Sequence, residues 1–146
     1  MNTTEPTVVQ LARRTMLEVE QAVHGFARFH KYQVGAKLRD QAMSLATLAN
    51  RAWRDRPRQL EWTEQLVWAV DDFKLTLQLA SEVRAFVSFR QFDALARTVR
   101  ELGKQVGGWH RQQRQAKGQH ADPAQPAPQR ALILSTGTAS PAEAMR

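Results

Sequence analysis

No cysteine occurs among the 146 residues, which excludes disulfides, cysteine-ligated zinc, iron–sulfur clusters and a thiol nucleophile. Such a composition fits a reducing compartment. Acid is also scarce: 14 Asp and Glu stand against 21 Lys and Arg, a net charge of +7. No apolar run reaches ~18 residues, so no membrane span is expected. The opening stretch, MNTTEPTVVQLARR, has an acid and a proline where a secretion signal has a basic start and an apolar run. A small basic protein of the cytoplasm is therefore expected. Its excess positive charge points to a polyanion or an acidic protein surface as partner.

Glycine and proline are few and unevenly placed. Two long stretches, 36–56 and 58–102, contain neither, which suits long helices. The apolar residues there recur every three or four positions, the mark of one buried helical face. Four helices are predicted. The first covers about 6–24, with Thr3 or Thr4 as cap and a stripe of Val8, Ala12, Met16, Val19, Val23 and Phe26. The second covers 32–54, with Val34, Leu38, Ala42, Leu45, Leu48 or Ala49, and Ala52; Pro57 then stops it. The third covers 58–87 and carries two stripes. One is Leu66, Val70, Phe73, Leu77 and Ala80; the other is Leu75, Leu79, Val83 and Phe86. Two stripes predict burial on two sides, at a bundle centre or at one internal face plus one subunit interface. The fourth covers 89–114 behind a Ser88 cap, with Phe92, Leu95, Ala96, Val99, Leu102, Val106 and Trp109 or His110.

Short connections between four such helices predict an all-α, up-down-up-down four-helix bundle over 1–116. The Ala-, Pro- and Gln-rich residues 117–146 read as a disordered tail, within which Ala131–Leu134 form a brief apolar run.

Charge is sorted along the chain. Residues 28–58 hold Arg28, Lys31, Lys37, Arg39, Arg51, Arg54, Arg56 and Arg58 against Asp40 and Asp55. Residues 89–118 hold Arg90, Arg97, Arg100, Lys104, Arg111, Arg114 and Lys117 against Asp93 and Glu101. The third helix reverses this with Glu61, Glu64, Asp71, Asp72 and Glu82. Each such residue alone reads as part of a solvated face. Two basic stretches on one small bundle read as a polyanion-binding surface.

Of the four tryptophans, Trp62 and Trp68 flank the core stripe of the third helix and Trp53 lies off that of the second. Core packing, a subunit interface, and base stacking by Trp53 among its arginines stand as alternatives. The histidines 24, 30, 110 and 120 show no metal-ligand spacing. The serines 44, 81 and 88 lack a glycine elbow, and no phosphate-binding glycine loop occurs. Asp71, Asp72 and Glu64 read as salt-bridge partners. No enzymatic activity, cofactor or metal is expected.

Two segments carry a family resemblance: FARFHKYQVGAKLR, residues 26–39, and LQLASEVRAFVSFRQFDALARTVRELGKQVGGW, residues 77–109. Together they resemble the accessory variability determinants, Avd, of diversity-generating retroelements. That family is related to bundle proteins encoded in intervening sequences of ribosomal RNA genes. HKYxxG and the closing GGW are the most specific parts; Ala27 and His110 depart from the pattern. The resemblance implies a non-catalytic homopentamer with a basic surface, which binds a reverse transcriptase and its template RNA, or DNA, during mutagenic cDNA synthesis. By position it implies contacts from Arg28, Lys31, Lys37, Arg39, Arg51, Arg54, Arg56, Arg58, Arg97, Arg100, Lys104, Arg111 and Arg114. It gives Gly103, Gly107 and Trp109 structural roles: close helix packing for the glycines and closure of the bundle end for the tryptophan. An intervening-sequence-type bundle and a protein-binding scaffold remain the alternative readings.

Overall fold

The computed structural model describes residues 4–119. The fold is all-α, a four-helix bundle with no strand among the described residues. Its elements are α1 (Thr7–His24), the single turn α2 (Arg28–Lys31), α3 (Val34–Arg54), a 3-10 turn (Arg56–Arg58), α4 (Gln59–Glu82) and α5 (Phe89–Gln119). The chain divides into two units, 1–114 and 115–146; the bundle is the first, and the second is described only where it completes α5.

The apolar periodicity becomes the core. α1 contributes Val8, Val9, Ala12, Val19, Ala22 and Val23, and α3 contributes Leu38, Ala42, Leu45 and Ala49. α4 contributes Leu66, Val70, Phe73, Leu77 and Ala80, and α5 contributes Leu95, Val99, Leu102 and Val106. Phe73 is fully buried and the largest of these side chains. Burying each such leucine or phenylalanine contributes roughly 1.5–3 kcal/mol. Thr15, Thr63, Thr76 and Thr98 are buried polar residues. Each donates its hydroxyl hydrogen to a carbonyl one turn back on its own helix, so none leaves an unpaired donor.

Helix boundaries differ from the sequence reading in four places. α1 starts behind Pro6 with no side-chain cap hydrogen bond, and Thr3 lies outside the described residues. Its first turn is instead secured by Glu5, which accepts from Arg13 and whose carbonyl accepts from the Gln10 amide at 2.9 Å. α3 begins at Val34 rather than Tyr32, because the chain first makes the separate turn α2. α4 ends at Glu82, not Val87. There the Arg84 amide donates to the Ser81 carbonyl and the Ala85 amide to the Ala80 carbonyl, each at 3.0 Å. This paired closure puts Arg84 at φ 60°, a left-handed position that glycine usually fills, so no glycine marked the stop. At the far end α5 runs past Arg114 to Gln119. The remaining residues of the expected tail lie outside the described residues. Ser88 does cap α5: its Oγ accepts from the Gln91 amide at 3.2 Å.

Candidate nucleic-acid interface

The basic residues fall into two groups, according to whether the chain itself already engages them. On α5 the steps from Arg97 to Arg100, Lys104, Arg111 and Arg114 keep to one helical face, opposite Leu95, Val99, Leu102 and Val106. All five are exposed. Arg97 is held by Asp93 one turn earlier, with Nε to Oδ2 at 3.1 Å. Arg100, Lys104, Arg111 and Arg114 make no ion pair among the described residues. The result is a row of four unneutralised cations along about four turns of helix.

On α3 and its C-terminal turn most cations have partners. Arg39 Nε lies 2.7 Å from Glu20 of α1, and that hydrogen bond, with the charge of Glu20, raises the arginine pKa further. The Arg54 guanidinium sits over the Trp53 ring at 4.6 Å, and Arg51 lies 5.5 Å from the Trp62 ring. Trp62 donates its indole N–H to Asp55 at 3.0 Å, and Asp55 also meets Arg58 at 3.0 Å. Each exposed cation–π contact is worth ~0.5–1 kcal/mol. This is a small interlocked cluster at the α3–α4 turn, in which Trp53 packs against the core. Lys37 and Arg56 are exposed and make no ion pair among the described residues. Arg28 and Lys31 share that lack of an ion pair, and both belong to α2.

The residues expected to serve packing separate as well. A Cβ on Gly103 would stand 3.0 Å from Lys74 Nζ and 3.5 Å from Val70, so α5 and α4 approach closely there. A Cβ on Gly107 would meet nothing within 4 Å, so close packing inside the chain does not account for that glycine. Trp109 is half-buried against the core. Tighter than either of these is Gly35, the glycine of the HKYxxG segment. A Cβ on Gly35 would meet Val23 at 2.9 Å and the His30 carbonyl at 3.1 Å, where α3 starts against the end of α1.

The outer side of α4 is unlike the others. Trp68, Leu75 and Leu79 are 63, 61 and 48% exposed and form a stripe opposite the core stripe. Glu61, Glu64, Asp71 and Asp72 flank it and make no ion pair among the described residues, contrary to the salt-bridge expectation. The second stripe of this helix is thus present but uncovered within one chain. Phe86 alone of that stripe turns inward, past the helix end, onto Phe26 and Phe92. Between α4 and α5 lies an open groove of about 290 Å³ with Lys74, Asp93 and Arg100 among its lining residues.

Among the described residues no group of three or more His, Cys, Asp or Glu is placed to hold a metal, and no helix is long and apolar enough to cross a membrane. No protein-family model matches this chain, and no curated protein matches it.

Proposed function

We propose that this protein is a non-catalytic accessory protein of a diversity-generating retroelement. It acts as a homopentamer that binds the reverse transcriptase and template RNA to support mutagenic cDNA synthesis. The observation that carries the reading is the row Arg100, Lys104, Arg111 and Arg114 on the solvent face of α5, with no ion pair among the described residues. Lysines and arginines left without internal partners are available to phosphates, and the arginine bias suits two-pronged phosphate contacts. The family resemblance of residues 26–39 and 77–109 supplies the retroelement.

Self-association is supported by a different face. The uncovered stripe Trp68, Leu75 and Leu79 on α4 is apolar with an acidic border, while Leu17 on α1 and Met43 on α3 are each 55% exposed. A ring needs two unlike patches that meet head to tail. The acidic border of α4 also suits contact with a basic neighbour.

Charge reversal tests the reading. Replacing Arg100, Lys104, Arg111 and Arg114 by Glu is expected to abolish RNA retention on a native gel at ~50 mM salt while leaving the helical circular-dichroism signal intact. Retention at unchanged affinity would remove α5 from the contact face. A neighbouring reverse-transcriptase gene with a template and variable repeat supports the retroelement; insertion within a ribosomal RNA gene supports the intervening-sequence relatives instead.

A further inference from the structure

One end of the bundle combines aromatic rings and cations in a way the basic faces do not. The α1–α3 connection, 25–33, and the α4–α5 connection, 83–88, lie side by side there. A Cβ on Gly25 would stand 2.8 Å from Val87 Cγ2. Beneath them Phe26 meets Phe86 edge-on at 5.1 Å between ring centres, and Phe86 meets Phe92 at 5.4 Å. Three further rings at this end face solvent: Phe29 is 74% exposed, Tyr32 68% and Phe89 75%, with Phe89 5.9 Å from Phe92 and Phe29 5.3 Å from the His30 ring between ring centres.

Single exposed apolar residues need no explanation, but three exposed aromatic rings at one end do. Their neighbours in sequence are Arg28, Lys31 and Arg90, and Arg84 belongs to the same α4–α5 connection; none of the four is in an ion pair among the described residues. Of the nearby acids, Asp93 is paired with Arg97, and Glu82 accepts a hydrogen bond from the Gln78 side-chain amide at 3.1 Å.

Resting on the nucleic-acid reading above, we propose that this end of the bundle is a platform for single-stranded RNA. Unstacked bases lie on Phe29, Tyr32 and Phe89, while Arg28, Lys31 and Arg84 hold the adjoining phosphates. Rings interleaved with cations are the pattern by which single strands are held, because every base offers a stacking face. A duplex offers such rings nothing, its bases being stacked already. A protein partner is the poorer fit here, because the rings are bordered by cations rather than by the acids that border the α4 stripe.

The test uses the full chain and two probes of about 16 nucleotides, an oligouridine and an RNA duplex, read by fluorescence anisotropy. The variant F29A/Y32A/F89A is expected to bind the single strand at least about tenfold more weakly, with duplex affinity and salt dependence unchanged. Phe29→Ala alone, at the ring 74% exposed, is expected to give a smaller loss of the same kind without risk to the fold. F29Y/F89Y, which keeps the rings, is expected to bind as the unaltered protein does. Unchanged single-strand affinity, or an equal loss on both probes, overturns the platform and leaves the nucleic-acid reading standing. A smaller assembly with unchanged single-strand affinity identifies the patch as a subunit contact and also overturns the platform. Failure of the unaltered protein to bind either probe overturns both.

Discussion

Arg84 and Gly35 are opposite cases of a residue meeting its backbone. Arg84 closes α4 with φ 60°, a geometry that costs a side-chain-bearing residue roughly 1–2 kcal/mol. Arg84→Gly is therefore expected to stabilise the bundle by about 1 kcal/mol, raising the thermal midpoint by ~4 °C. Gly35→Ala goes the other way, since its Cβ would sit 3.1 Å from a fixed carbonyl, and a lower midpoint is expected. Gly107→Ala meets open space, so the gain in helix propensity, up to ~1 kcal/mol, is expected in full. Loss of assembly in that variant would assign Gly107 to a contact between copies. Glu5 sets a pH limit on the first turn of α1. Its hydrogen bond from Arg13, helped by the charge of that arginine, holds its carboxyl below the ordinary range. A depressed folded value gives stability that is present above about pH 4.3 and lost as the pH falls through the lowered value. Proteolysis near the start of α1 is expected to speed up over that window and not above it. Gly35 and Gly107 stood out in the sequence, but the surroundings of these four positions did not, because they depend on what stands opposite each residue.

At the scale of the helix the sequence was far more informative. The three-and-four spacing named Leu66, Val70, Phe73, Leu77 and Ala80 as one face, and all five are buried. Phe73→Ala is accordingly expected to cost ~3–5 kcal/mol in denaturant unfolding, the transfer term plus a cavity term. Periodicity also separated the second stripe of α4 from the first, but it does not say what covers a stripe. Leu75 and Leu79 face solvent in a single chain. Replacing Trp68, Leu75 and Leu79 by Ser is expected to leave the melting of the fold nearly unchanged and to lower the assembled mass in sedimentation. An unchanged mass would remove α4 from the subunit contact. The tally of basic residues along α3 was legible too, but their engagement was not. Arg54 and Arg58 are tied to the near neighbours Trp53 and Asp55, and Arg51 to Trp62, a partner that the α3–α4 turn brings to it. The cations left over are concentrated on α5.

Over the whole molecule, the described bundle carries three unlike surfaces: a basic row on α5, an apolar and acidic stripe on α4, and an aromatic, basic end. A charge of +7 on one copy is modest; in the proposed ring of five copies it amounts to about +35, a field able to steer a polyanion. Such a surface binds by releasing counterions, so its affinity is expected to fall steeply and linearly on a logarithmic salt scale. The most direct measurement is therefore RNA affinity of the intact protein as a function of salt. Tight binding at ~50 mM that weakens by orders of magnitude toward ~200 mM is the predicted result. No binding at ~50 mM, or binding indifferent to salt, would contradict the account.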